Sequence, residues 1–399
     1  MNIDKLRIED YTDKYFTRSR KVLQYNMMNP IVRAQIFLRK PGIVNGIAET
    51  VNFIKMFCPS AKILAQKDFT PYESCVPVIV FEAPAVEIIE LETVYLGIIS
   101  TFTTEASTKT IMNLNTIASN TLDTISQIRD MIGSRGLMYM GARHIHHGWD
   151  ATISEHAFRA GCTDCSTDVG SRINNRLGVG TIPHALENIF AFYHGAENAV
   201  VNTTRAFNTW RKETGEKCNT VALVDYNNKE ISDTLSTYSV LGDDLFGIRV
   251  DTCGENVMQG ASTHKDIEFR NGEARFWVDG RKIHIKPENL KYWFGNGVTI
   301  SGVYSLNNAV MHVESGPSRK LKFILSSGFG NPKKVAAFVE AEEQLQTQLF
   351  DTLGVGNIYN IPELRIATMD IVSVLDEDKW VNCSKIGRSH KQNPGLAQV

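Results

Sequence analysis

Long apolar runs are missing from this chain. None reaches the roughly 18 residues that a membrane-spanning helix needs. The opening MNIDKLRIEDYTDKYF is charged where a secretory signal would carry an apolar core. A surplus of either charge is missing too. The 42 Lys and Arg residues face 44 Asp and Glu, a net charge of −2, so the basic stripe of a dedicated nucleic-acid surface is not expected. The seven cysteines are odd in number and scattered, which argues against a disulfide framework and suits a reducing compartment. A cytoplasmic protein is the expectation. What is there is an ordinary globular composition, 43% hydrophobic and 22% charged over 399 residues. That length exceeds one ordinary domain and predicts two, or a barrel with an added domain.

The first hundred residues read as a small α+β layer. β-rich pieces at Ile31–Leu38, Val76–Phe81 and Val86–Leu91 are separated by Pro41-Gly42, Cys58-Pro59 and Pro71-Tyr72. From Leu91 the apolar spacing becomes helical. After Ser134 strands and helices alternate. GLMYMGAR, GVGT, VALVD, LFGIRVD, LKFILSS, DTLGVG and ATMDIVSVLD read as strands. SEHAFRAG, Val169–Leu177, the stretch from about Lys229 to Leu241, ISGVYSLNNAV capped by Thr299, and the segment opened by Pro332 read as helices. Apolar strands in β-α alternation predict a parallel α/β architecture. In a barrel of this kind functional groups gather at the C-terminal strand ends. Arg143, His184, Asp225, Arg249, Asp251, Ser326, Ser327, Gly354 and Gly356 all sit there. A doubly wound sheet is the alternative, because strand count does not settle closure. One stretch breaks the alternation: at 264–286, Asn271-Gly272 and Asp279-Gly280 divide β-favouring runs and predict an inserted β-ribbon.

The densest chemistry lies between Gly141 and Leu186. Five of the ten histidines (His144, His146, His147, His156, His184) and four arginines (Arg143, Arg159, Arg172, Arg176) are interleaved there with Gly, Ser and Thr. Cations beside small residues suit a pocket for an anionic, oxygen-rich ligand, since backbone N–H groups can then reach the ligand as well. Cys162-x-x-Cys165 has no second Cys/His pair at metal-binding spacing. Asp243-Asp244 reads as a solvated turn, and His146-His147 as an exposed polar pair.

Taken in order, TDKYFTR, ETVYLGIIS, ARHIH, AGCTDCSTDVG, VGTIPHAL, ALVD, RVDT, SSGF, LGVG and KIGRSHK resemble the motifs of the nicotinate phosphoribosyltransferase family, in its shorter archaeal-type members. VGTIPHAL is the sharpest of them. The resemblance covers most of the chain. It implies an irregular α/β barrel (116–369, with the ribbon inserted at 264–286) and an N-terminal α/β sandwich domain (1–115) completed by the C-terminal tail (about 370–399). It also implies a homodimer or higher homo-oligomer with shared active sites. The implied reaction is attack of a pyridine nitrogen on the anomeric carbon of phosphoribosyl pyrophosphate, giving nicotinate mononucleotide and pyrophosphate. Mg2+ would assist, and ATP would enter as a co-substrate in members that couple its hydrolysis.

Carried over residue by residue, the resemblance makes His184, Arg249 and Asp251 the catalytic candidates, with His184 as the phosphorylation site and Asp251 engaging the ribose or the metal. Arg143 and Arg249 would contact phosphates or the pyridine substituent, because a guanidinium fork matches such oxygens. Ser327, Gly328, Gly354 and Gly356 would offer backbone donors to the 5′-phosphate. Tyr15, from the neighbouring subunit, would stack on the ring. His144, Ser166, Thr167, Asp168 and Thr181 would complete the substrate site, and Lys385 and Arg388 would reach a phosphate. The hydroxyls of Ser166 and Thr167 favour nicotinate, whereas an inward Asp168 would favour nicotinamide. Met140 stands where many larger relatives carry an aromatic residue. Two further readings are a catalytically weakened nucleotide-binding relative and a barrel hydrolase using Asp225 with Asp251.

Overall fold

The computed structural model describes residues 7–263, 267–270, 273–278, 280–314 and 319–399. Two six-stranded sheets organise it. The first is antiparallel, in the order Lys379–Asn382, Ala367–Asp376, Ile31–Leu38, Pro77–Pro84, Lys62–Ala65 and Ala397–Gln398. Its central strand, Ile31–Leu38, is apolar almost throughout and buried on both faces. It pairs Gln35 with Val80 on one side and with Asp370 on the other, so residues from opposite ends of the chain are locked into one layer. Val86–Leu91 departs from the strand reading and forms a helical turn at Ala85–Ile88, continued as a 3-10 turn at Ile89–Leu91. A short apolar run without alternation does not distinguish the two periods.

The second sheet is parallel. Its order is Asp164–Cys165, Gly136–Tyr139, Thr352–Val355, Lys322–Leu325, Gly247–Val250 and Val221–Leu223. Numbered along the chain this is 2-1-6-5-4-3, the cyclic sequence of a barrel and not the reversal of a doubly wound sheet. The ring is open: among the described residues Asp164–Cys165 does not pair with Val221–Leu223. The expected strand at GVGT would have filled this gap, but residues 178–181 are irregular. Tyr15 packs so closely on Gly180 that an added Cβ there would lie 2.6 Å from the Tyr15 nitrogen. Lys14 N–H also donates to Ser166 O at 2.7 Å. The N-terminal segment therefore occupies the edge a closing strand would need.

The helix Glu92–Thr108 is buried over most of its length between the two sheets. Gly97 lets it approach the loop after the first parallel strand, since a Cβ there would meet Ile145 O at 2.2 Å. Ile300–Glu314 begins after Thr299, whose hydroxyl accepts from Gly302 N–H. Pro332–Leu345 begins after Asn331, whose side chain accepts from Lys333 N–H. Val169–Leu177 shortens to a single turn, Asp168–Ser171, and a 3-10 turn. The inserted ribbon has three antiparallel strands, Ile267–Arg270, Glu273–Val278 and Arg281–Ile285. Asn271-Gly272 and Asp279 lie outside the described residues. The ribbon docks on the helix Pro332–Leu345 through Lys286–Glu340 and His284 N–H to Gln344, and none of its described residues lines the cavity described next. Among the described residues no helix is long and apolar enough to cross a membrane.

Candidate active site

A cavity of about 640 Å³ opens where the C-terminal ends of the parallel strands meet the antiparallel sheet. Four strand ends form its floor. They contribute Met140, Arg143 and His144; Arg249 and Asp251; Ser326, Ser327 and Gly328; and Gly354 and Gly356. His184 joins them from the start of the helix His184–His194. The opposite wall comes from Tyr15, Arg39, Glu92, Asp370, Lys385 and Arg388. Parallel strands end together at one rim, so residues from remote parts of the sequence share one mouth.

Arg143 projects from the turn after Gly136–Tyr139 and stands 3.2 Å from the Glu92 carboxylate. Burial pushes the Glu92 acid up to about 8, against the opposing pull of Arg143. At neutral pH an uncharged acid therefore faces a charged guanidinium. Tyr15, 6% exposed, donates its hydroxyl to Asp13 at 2.9 Å. Its ring centroid lies 5.8 Å from the Arg249 guanidinium carbon. Tyr15 thus lines the cavity of its own chain. Its helix is tied to this chain's barrel by the Lys14 to Ser166 backbone bond and by an ion pair of Lys14 with Asp168 at 2.7 Å.

Arg249 is 6% exposed, and among the described residues its Nε has no hydrogen-bond partner. Asp251, two residues on, accepts from Ser326 Oγ at 2.7 Å and lies 3.9 Å from Arg249. Ser327 and Gly328 both take positive φ, 68° and 87°, which turns the chain sharply at the end of Lys322–Leu325. His144 is neutral: burial, then Arg143 and Arg39, hold its imidazole down to about 3. It accepts from Asn357 N–H at 3.1 Å and packs on Gly356, where a Cβ would meet its ring at 2.7 Å. His144 therefore props the second glycine loop.

His184 Nε2 lies 3.0 Å from Asp225 Oδ1 and 3.2 Å from Lys385 Nζ. The Lys385 ammonium also pairs directly with Asp225 Oδ2. Burial lowers the His184 pKa, the Lys385 charge lowers it further, and Asp225 opposes both. Burial works against an ionised Asp225, yet Lys385 and His184 together hold it well below the usual carboxylate range. Lys385 is accordingly committed to Asp225 and is not a free cation. Arg388 sits between Asp370 at 3.6 Å and Glu255 at 3.7 Å, and Glu255 also holds Arg39 at 3.1 Å.

Four residues named from the sequence stand outside this cavity. Ser166, Thr167, Asp168 and Thr181 are buried at the seam between the N-terminal helix and the open edge of the sheet. Thr167 bonds Asp150 and accepts from Gly170 N–H. Asp168 holds Lys14 and accepts from Gly178 N–H at 2.7 Å. Thr167 and Asp168 spend their polar groups on closing the fold, while among the described residues the buried Ser166 Oγ has no hydrogen-bond partner. The His146-His147 pair is not exposed either. The two rings stack at 4.3 Å, with His147 7% exposed and its base held by burial at about 4. Cys162 and Cys165 are buried thiols pushed up by desolvation. Glu92 and Asp370 escaped sequence reasoning as site residues. Glu92 lay inside a quoted motif, but its partner is 51 positions away and only packing joins them.

No family model matches this sequence, and no curated protein matches it. Solved structures do. A nicotinate phosphoribosyltransferase from Porphyromonas gingivalis aligns over 97% of this chain and 96% of its own, at 12% identity and a TM-score of 0.66. A nicotinate phosphoribosyltransferase from Vibrio cholerae aligns over 92% and 85%, at 11% identity and a TM-score of 0.59. Over nearly its whole length, the chain has the fold of the nicotinate phosphoribosyltransferases.

Proposed function

We propose that this chain transfers a phosphoribosyl group from phosphoribosyl pyrophosphate to nicotinate, yielding nicotinate mononucleotide and pyrophosphate for NAD synthesis. The observation that carries the reading is the convergence of Arg143, Arg249 and Tyr15 with the Ser327–Gly328 and Gly354–Gly356 turns around one cavity. The pyridine nitrogen attacks the anomeric carbon as the bond from that carbon to the pyrophosphate oxygen breaks. No proton has to move, so the chain's work is positioning and charge stabilisation.

Arg143 receives the nicotinate carboxylate, because the protonated Glu92 leaves its charge available. Tyr15 supplies a flat wall for the ring. Arg249 meets the negative charge growing on the leaving pyrophosphate, and the glycine turns present N–H groups to the 5′-phosphate. Asp168, the acceptor that would have suited a carboxamide, is bound to Lys14 outside the cavity, which supports nicotinate over nicotinamide.

Mg2+ fits the site. It favours one or two carboxylates, water and substrate phosphates over an all-protein cage. Asp251, with one oxygen bound by Ser326 and a side chain 24% exposed, is the residue to hold it. Bound there, the ion would neutralise pyrophosphate charge. For ATP coupling, Asp225 orients the His184 ring through Nε2 and leaves Nδ1 as the nucleophile toward a γ-phosphoryl group.

Incubation with phosphoribosyl pyrophosphate and Mg2+, offering nicotinate, nicotinamide and quinolinate separately, tests the reading. Nicotinate mononucleotide is the expected product. Formation of nicotinamide mononucleotide alone overturns the base assignment, and the absence of any mononucleotide overturns the function.

A further inference from the structure

We propose that Lys334, in the first turn of the helix Pro332–Leu345, is a phosphate ligand of this cavity, completing the receptor that the Ser327–Gly328 turn begins. The inference deepens the phosphoribosyl reading and rests on it for the identity of the ligand. Lys334 lies outside every motif considered above.

Its geometry is that of a cation held ready beneath the cavity wall. The Nζ donates to Ser327 O at 2.9 Å. It also faces two enclosed aromatic rings, Phe329 at 4.4 Å and Phe338 at 5.9 Å. Both rings are fully buried and pack edge to face with centroids 5.0 Å apart. Gly328 at the same turn lines the cavity. Apart from its chain neighbours, a Cβ there would meet only Lys334, Nζ at 3.6 Å and Cδ at 3.8 Å. A group entering over Gly328 therefore comes within hydrogen-bond reach of the amine.

An ammonium has three donors, and among the described residues Ser327 O takes one of them. Burial holds this amine down to about 7, opposed by the charge of Asp251. Among the described residues no carboxylate forms an ion pair with this amine, and a phosphate dianion would supply a direct one. A strut needed only to hold the turn would be served by any donor; an amine beside a cavity-lining glycine matches an anion.

The test is calorimetric binding of ribose 5-phosphate to the full chain, its K334M and K334R variants, and inorganic phosphate as a second probe. Loss of a charge-assisted hydrogen bond predicts roughly ten- to hundredfold weaker binding of both probes to K334M, with K334R closer to the parent. A K334M affinity within threefold of the parent overturns the proposal. If K334M does not fold, the parent and K334R decide. The parent's ribose 5-phosphate affinity is expected to fall as pH rises from 7 to 9, a dependence that K334R removes. The same pH profile in both overturns the proposal. Mononucleotide synthesis with Lys334-independent binding would sink this inference alone. Lys334-dependent binding without mononucleotide synthesis would sink the reaction and leave the phosphate site.

Discussion

The Glu92 carboxyl stands 3.2 Å from the Arg143 guanidinium, and burial pushes its pKa to about 8. A neutral acid beside a permanent cation keeps that cation available to a substrate carboxylate. The raised pKa fixes the sign of the pH dependence. Glu92 is protonated in the folded chain below about 8, and its ionisation above that value gives Arg143 an internal counter-ion. The KM for nicotinate should therefore rise as pH increases from about 7 to 9.5, while Glu92→Gln should flatten the profile. An identical rise in the variant would assign it to another group. The same shift couples to folding. The stability Glu92 contributes is complete below the ordinary carboxyl range and is lost as pH rises through about 8.

Arg249→Ala should lower kcat about 100- to 1000-fold, the scale seen when one donor to a developing negative charge is removed. Among the described residues its Nε has no hydrogen-bond partner, so the folding loss should stay within the ordinary range of about 0.5–3 kcal/mol. Single-turnover rates and thermal melts of the same preparation check both halves. A variant that melts normally and turns over at the parental rate removes Arg249 from the chemistry.

Lys385 and Asp225 form a buried ion pair, with side chains 5% and 0% exposed. Lys385→Met strands the Asp225 carboxylate and should cost about 3–5 kcal/mol. Adding Asp225→Asn should restore part of that loss in denaturant melts. Additive losses in the double variant would show that the two groups are energetically independent.

His184→Ala should abolish any stimulation by ATP and keep the Lys385–Asp225 pair, because the two contact each other directly. Rates with and without ATP, together with a phosphoryl-transfer assay using labelled γ-phosphate, read this out. Persisting stimulation in the variant would place the phosphorylated group elsewhere.

Gly330→Ala should weaken 5′-phosphate binding although Gly330 touches no substrate. A Cβ there would lie 2.0 Å from Gly356 O, so the two glycine turns must separate. Ribose 5-phosphate affinity should drop while that of free nicotinate holds. Unchanged affinity would show that the spacing of the turns is not what receives the phosphate.

Much of the fold was legible because its strands carry a simple signature. Ile31–Leu38, Lys322–Leu325 and Gly247–Val250 are short apolar runs buried on both faces, and such runs announce themselves without neighbours. The helix-start chemistry of Thr299 and Pro332 is local and equally readable. Val86–Leu91 and GVGT misled for the converse reason. The first is apolar without a period, and the second is displaced from the sheet edge by the backbone of Tyr15.

The site divides along the same line. Residue type and order alone determined which groups end the parallel strands, and so brought Arg143, Arg249, Asp251, Ser327 and Gly356 to a single rim, since parallel strands share one C-terminal edge. Packing decided the rest. It placed Ser166, Thr167, Asp168 and Thr181 at the seam, set Tyr15 against its own chain's cavity, and engaged Lys385 with Asp225. It also set Lys334 beneath Gly328. Those outcomes depend on where low-dielectric surroundings and opposite charges meet across tens or hundreds of residues, and no local pattern of amino acids encodes a distance in space.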